Sequence, residues 1–141
     1  MEAYQTANKK YKYNQIINNK SLDEWVQNLH KYNCEYNNWK FTLLKKGSYG
    51  YDNLCIAIGY VIDNIKNDLI LSDIAELIHE AWCINYIYWR DNKLDNSYIL
   101  PFNKLGDDRR NMCAITKYDD LSQEEQIKDI ILAKFIVDNI L

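Results

Sequence analysis

Proline, arginine and glycine are scarce in this chain, and the motifs that depend on glycine or paired histidines are missing. The 141 residues include one proline, four glycines, two histidines and three arginines. No glycine-rich phosphate loop, G-x-S-x-G nucleophile turn or H-E-x-x-H zinc motif occurs. No base or nucleophile stands at a defined spacing from either histidine. We therefore predict a protein without catalytic residues and without a cofactor.

Close cysteine pairs are also missing. The four cysteines, Cys34, Cys55, Cys83 and Cys113, are far apart and form no C-x-x-C motif. Neither histidine has a cysteine partner at the spacing of zinc ligands, and no secretory leader pattern opens the chain. We expect no metal site and no disulfides. We interpret the four cysteines as small buried apolar side chains in a reducing cytosol.

Strong positive charge and long apolar runs are absent as well. The formal net charge is −3, and the lysines are spread along the chain, so no basic face for nucleic acid is predicted. The longest apolar run, residues 54–62, is too short to span a bilayer. Abundant Asn, Ile, Lys and Tyr are typical of an AT-rich genome. We predict a soluble cytoplasmic protein, in the host cytoplasm if its source is a virus or phage.

The organisation that the sequence indicates is helical. Residues 1–20 are polar with little periodicity and predict a loose N-terminal arm. Residues 21–141 predict a single domain, whose first and last helices open with capping boxes at Ser21–Glu24 and Ser122–Glu125. We predict an all-α fold, a compact bundle of about four helices, with a long ordered loop over about residues 92–120 packed on the third helix.

The two halves of the chain contain similar short patterns. Leu29-His30 with Cys34 and Trp39-Lys40 resembles Ile78-His79 with Cys83 and Trp89-Arg90. Residues 60–65 (YVIDNI) also resemble residues 135–140 (FIVDNI). These patterns suggest an internal duplication in which the second half carries the site. Biased composition is the competing explanation.

Arginine and tryptophan side chains concentrate between residues 78 and 120. All three arginines (Arg90, Arg109, Arg110) and two of the four tryptophans (Trp82, Trp89) lie there. On a helix, Trp82, Tyr86 and Trp89 share one face with His79. Indole faces beside guanidinium groups suit a base and a phosphate. The alternative is that the tryptophans are core residues and the arginines pair with neighbouring aspartates. We interpret His79 itself as a structural histidine bonded to the loop.

Several short motifs follow one another in this part of the chain: H-E-x-W, a second Trp, R-R-N and Y-x-x-L, and then an acidic helix start. This order resembles the ryanodine-receptor repeat domain in its free-standing prokaryotic or viral form. The resemblance covers about residues 71–141. It is carried by His79, Trp82, Trp89, Arg109, Arg110, Asn111, Tyr118 and Leu121.

The resemblance implies a nucleotide-binding module, here without a pore segment. We expect non-catalytic binding of an adenine-containing nucleotide or a nucleotide-derived signal such as ADP-ribose or a cyclic nucleotide. If the source is a virus or phage, the expected role is to sequester a defence signal. The expected ligand-binding residues are Trp82, Asn85, Tyr86, Trp89, Arg90, Arg109, Arg110, Asn111 and Tyr118. Alternatively, the same aromatic face forms a protein–protein or homo-oligomer interface, or part of a structural viral module.

Overall fold

Helices make up most of the chain, as the sequence predicts. The structure, a computed structural model, describes Ala3, Ala7 and residues 10–92 and 108–141. In chain order the elements are β1 (Ile16–Ile17), β2 (Lys20–Ser21), α1 (Leu22–Tyr36), α2 (Tyr49–Asn64), α3 (Leu71–Asn92), α4 (Asp108–Ala114), a 3-10 turn (Tyr118–Asp120) and α5 (Gln123–Asn139). The all-α prediction is confirmed, with four long helices in the described ranges. None of the helices in these ranges is both long and apolar enough to cross a membrane.

Serine residues form the N-caps of three of the four long helices. Ser21 Oγ accepts a hydrogen bond from the backbone N–H of Glu24 at 3.2 Å, which confirms the first predicted cap. Ser122 Oγ accepts from the N–H of Glu125 at 3.3 Å, which confirms the second. Ser48 caps α2 in the same way. Each serine satisfies one of the backbone donors that a helix start leaves without an intrahelical partner.

The third helix packs between α2 and α5, and one apolar cluster joins it to α1. The apolar face of α1 is buried in this cluster, with Leu22, Val26 and Leu29 fully buried. Of the predicted long loop, residues 93–107 lie outside the described residues. The part that is described contains α4 and the 3-10 turn, and both contact α3.

The described part of the predicted loose arm packs against the helices. The strands β1 and β2 pair antiparallel across Asn18 and Asn19, whose positive φ angles of 47° and 70° are those of a tight hairpin turn. Ile17 accepts a hydrogen bond from the Trp25 indole at 2.6 Å. Tyr11 donates to Asp63 at 2.6 Å on α2. Residues 10–20 are therefore held in place by hydrogen bonds that the composition did not reveal.

The two halves share one local arrangement. On α1, His30 Nε2 bonds the backbone oxygen of Thr42 at 2.9 Å, and Cys34 lies one turn on with its Sγ 3.7 Å from the same nitrogen. On α3, His79 Nε2 bonds the backbone oxygen of Thr116 at 2.8 Å. The Cys83 Sγ lies 3.6 Å from that nitrogen. The duplication stays a prediction, because the His–Cys spacing is already present in the sequence and the two carbonyl partners lie 12 and 37 residues from their histidines.

Candidate functional site

A cleft of about 290 Å³ opens where the end of α1 meets α2, α3, α4 and α5. Its volume is at the lower end of the roughly 300–1,000 Å³ typical of ligand sites. Its polar and aromatic lining comprises Asn33, Asn37, Trp39, Asn53, His79, Trp82, Arg109, Glu125, Lys128 and Asp129. Two of the residues predicted from sequence, Trp82 and Arg109, are brought together here.

Trp82 lies within a column of stacked rings on α3. Its ring is nearly parallel to that of Tyr86, with centroids 4.8 Å apart and 7° between the planes. On its other side the His79 ring lies at 5.9 Å and 11°. The Arg90 guanidinium continues the column, 5.6 Å from the Tyr86 centroid. Because neighbouring side chains cover both faces of the Trp82 ring, Trp82 forms part of the cleft wall. Little of its ring surface is left on which a base could stack.

Arg90 and Asn111 join α4 to the last turn of α3. Asn111 Oδ1 accepts hydrogen bonds from the Tyr86 hydroxyl and from Arg90 Nη1, both at 2.9 Å. Arg90 Nε donates to Asp91 at 2.8 Å. Tyr86 is fully buried. These three predicted ligand-binding residues therefore hold two helices together, and none of them lines the cleft.

Three further predicted site residues are interior residues. Trp89 is only 3% exposed, packs edge-on against Tyr49 and donates its indole N–H to Asp52 at 3.3 Å. Asn85 is fully buried, and its Nδ2 donates to the Tyr49 backbone oxygen at 3.4 Å. Tyr118 belongs to the main core. The prediction that Trp89 stacks on a base is wrong for this structure, because α2 covers that face of α3.

Arg110 has a different role from its neighbour Arg109. Burial raises the pKa of the Tyr49 phenol, and the positive charges of Arg110 and Arg109 oppose that rise. Arg110 is half-buried and does not line the cleft. Of the two arginines, Arg109 is therefore the one presented to a ligand.

Two cations of the cleft converge on one carboxylate. Arg109 Nη1 lies 2.9 Å from both Glu125 oxygens, and Lys128 Nζ lies 3.2 Å from Oε1. Burial raises the pKa of Glu125, but the Lys128 hydrogen bond and the Arg109 charge outweigh it, so the pKa lies below its usual range. Glu125 is therefore ionised at neutral pH and orders both cations at the cleft wall.

Asp129, one turn along α5, has the opposite environment. Burial and the Glu125 charge raise its pKa to about 7, against the opposing effect of Lys128. Its Oδ2 lies 3.8 Å from His79 Nδ1. His79 Nε2 bonds a backbone carbonyl, as predicted for a structural histidine. Burial also raises the pKa of the neighbouring Cys83 thiol to about 12, so the thiolate nucleophile is scarce.

Several cleft residues were missed from sequence. Trp39, 61% exposed, comes from the first half, and its only sequence signal is its place in the duplicated pattern. Asn53 contributes a buried Oδ1 that accepts no hydrogen bond from the described part of the chain. Lys128 and Asp129 lie in a helix whose charges look like an ordinary solvent-facing pattern. None of these residues stands out until the fold brings them together.

No protein-family model, curated protein or solved structure matches this chain. The resemblance to the ryanodine-receptor repeat domain therefore stays a prediction carried by the motif residues.

Proposed function

We propose that this protein is a non-catalytic binder of a nucleotide-derived anion, which it holds in the cleft between its two halves. The observation that carries the proposal is the lining of that cleft, where an exposed indole, Trp39, shares one cavity with Arg109 and Lys128. Aromatic surface and paired cations are the two elements that recognition of a base and a phosphate requires.

The charges of the cleft favour an anion. Arg109 and Lys128 together outnumber Glu125, and Asp129 is partly protonated near pH 7. The cleft therefore carries net positive charge, although the protein as a whole is acidic. A phosphate can take up hydrogen bonds from both cations while Glu125 continues to orient them. Arg109 supplies planar, multi-donor recognition that lysine does not.

The base would lie on the first-half side of the cleft. Stacking on an aromatic side chain such as Trp39 is worth about 1–3 kcal/mol per base. The amides of Asn33 and Asn53 line the same cavity, and amide side chains supply both hydrogen-bond donors and acceptors for the polar edge of a base. The limited volume suits one base with its ribose and phosphate, with the remainder of a larger ligand extending into solvent.

Binding without turnover is supported by the state of the reactive side chains. The thiol that lines the cleft is Cys113, which donates to Glu125 at 3.6 Å, and burial and the Glu125 charge raise its pKa. The pKa of Glu125 lies below its usual range, so this carboxylate is a weak base for such a thiol and does not activate it as a nucleophile. A cytoplasmic binder of this kind, in the host cytoplasm if its source is viral, would act by sequestering a signal molecule.

The alternative, a protein interface on the aromatic face of α3, receives less support. Tyr86 and Trp89 are buried within the chain itself, so that face is not offered to a partner.

Calorimetric titration with ATP, ADP, ADP-ribose, cyclic ADP-ribose and cyclic dinucleotides tests the proposal. We expect saturable binding of at least one compound, recovered intact. Trp39→Ala, Arg109→Gln and Lys128→Gln should each weaken binding by about fivefold or more, since a base stack or a charge-assisted hydrogen bond is worth about 1–3 kcal/mol. Lys134→Gln, which removes an exposed lysine of the same helix outside the cleft, is the matched control. No binding across the panel contradicts the proposal, and an altered ligand indicates an enzyme.

A further inference from the structure

A carboxyl group lies in the wall of a cleft that otherwise suits an anion. Asp129 is on α5, and its side chain is 13% exposed. The titratable groups that act on it or respond to it come from three elements: Glu125 and Lys128 on α5, His79 and Cys83 on α3, and Tyr118 in the 3-10 turn. Only Lys128 brings a permanent positive charge among these, and it lies within hydrogen-bond distance of Glu125.

The tautomer of His79 is determined by its partner. A carbonyl oxygen only accepts hydrogen bonds, so His79 Nε2 must carry a hydrogen to donate to Thr116 at 2.8 Å. In the neutral ring Nδ1 then holds a lone pair, which faces Asp129 Oδ2 at 3.8 Å. A proton on Asp129 removes the repulsion between this lone pair and the carboxylate. Without that proton, two electron-rich atoms face each other in a buried setting.

We propose that anion binding in the cleft is coupled to the uptake of one proton by Asp129. This inference rests on the function proposed above and adds its regulation. A ligand phosphate placed beside Arg109 and Lys128 brings negative charge into the cleft that Asp129 lines. Negative charge in the same cleft disfavours the ionised carboxylate, so the complex holds the Asp129 proton more tightly than the free protein does.

The coupling operates near neutral pH, because the pKa of Asp129 in the free protein is already about 7. Above that pH the free protein has lost the proton and must regain it on binding. Affinity should therefore fall as pH rises above 7, approaching about tenfold per pH unit when one full proton is taken up. By reciprocity, acidification tightens binding of the ligand and alkalinisation releases it.

Calorimetric titration at pH 6, 7 and 8 in buffers of different ionisation enthalpy counts the protons taken up. ADP-ribose and a cyclic dinucleotide are the preferred probes, because their esterified phosphates have no proton to exchange in this range. The terminal phosphate of ATP itself titrates near pH 6. For ATP the quantity measured is therefore the difference in proton uptake between wild type and Asp129→Asn. We expect uptake to rise from pH 6 to about 0.5–1 proton at pH 8.

Asp129→Asn should abolish the uptake while retaining binding, and at pH 8 it should bind at least as tightly as wild type. Asp138→Asn is the comparison variant, because it removes an exposed carboxylate of the same helix that does not line the cleft. Binding with no proton uptake, or uptake that persists in Asp129→Asn, overturns this inference and leaves the proposed function intact. No binding of any probe overturns both. If Asp129→Asn does not fold, the rise in proton uptake between pH 6 and pH 8 in the wild type still tests the coupling, and a wild type without that rise overturns it.

Discussion

Gly59 is the residue at which the N-terminal segment meets α2. A Cβ atom placed there would lie 2.3 Å from Cδ1 of the Tyr11 ring, far inside van der Waals contact. Gly59→Ala should therefore displace Tyr11 and break its hydrogen bond to Asp63. We expect the free energy of unfolding in urea to fall by about 1–3 kcal/mol, as for other overpacked sites, even though alanine favours a helix.

Gly50 provides the matched control for that substitution. It lies in the first turn of the same helix, and a Cβ there would meet Leu44 Cδ2 at an ordinary 3.5 Å. Gly50→Ala should leave stability unchanged or raise it slightly. Equal losses at the two positions would mean that Tyr11 does not pack on α2 in solution.

Asp129 makes the stability of the protein depend on pH in an unusual direction. Its pKa is raised from 3.8 to about 7 on folding, so between these values the native state binds more protons than the unfolded state. The free energy of unfolding should therefore fall as pH rises through this range. Asp129→Asn lacks this contribution and should exceed wild type in stability by about 1–3 kcal/mol at pH 8, and by much less at pH 5.

Urea denaturation at pH 5 and pH 8 measures this difference. Asp138→Asn is a suitable control, because it removes an exposed carboxylate from the same helix. A variant that loses stability at pH 8 as much as at pH 5 would show that Asp129 stabilises the fold through hydrogen bonds, and would refute the raised pKa.

At the scale of elements, helix starts are the feature that the sequence predicts best. Ser122 and the N–H that it caps are three residues apart, so the interaction is local and its pattern is visible in the chain. The β1–β2 hairpin was missed because each strand has only two residues, too few to show alternation. Its evidence lies in the turn conformation of two asparagines, which composition does not reveal.

Ser122→Ala should destabilise α5 and, through it, the cleft that α5 helps to form. Loss of a serine cap costs about 1 kcal/mol, because one backbone N–H of the first turn loses its partner. Ser72→Ala is the control, since Ser72 is exposed within the first turn of α3 and does not cap that helix. Urea denaturation of both variants checks the prediction. Similar changes for the two would show that the capping bond does not contribute.

At the scale of the whole molecule, the candidate site could be predicted only in part. Trp82 and Arg109 were predicted because arginines and tryptophans cluster in the second half of the sequence. Trp39 was missed because only folding brings the first half to the cleft. Trp89 was misassigned because α3 carries apolar side chains on several faces, and its sequence does not show which face α2 covers.

The halves should nevertheless unfold as one unit. The main core includes residues of α1, α2, α3 and α5, and Asn18 Nδ2 donates to the backbone oxygen of Ile140 near the end of the chain. Neither half can expose its apolar surface without exposing that of the other, so unfolding should be two-state. Circular dichroism and tryptophan fluorescence should give one coincident urea transition, with Trp25 reporting the main core and Trp89 the smaller apolar cluster.

A ligand bound between the halves should shift both signals together. At a free concentration of 100 times Kd, a ligand specific for the native state adds about 2.7 kcal/mol to the free energy of unfolding. If the fluorescence transition moved while the circular dichroism transition did not, the ligand would be stabilising one half alone. That result would contradict a site built from Trp39 in the first half and Arg109 in the second.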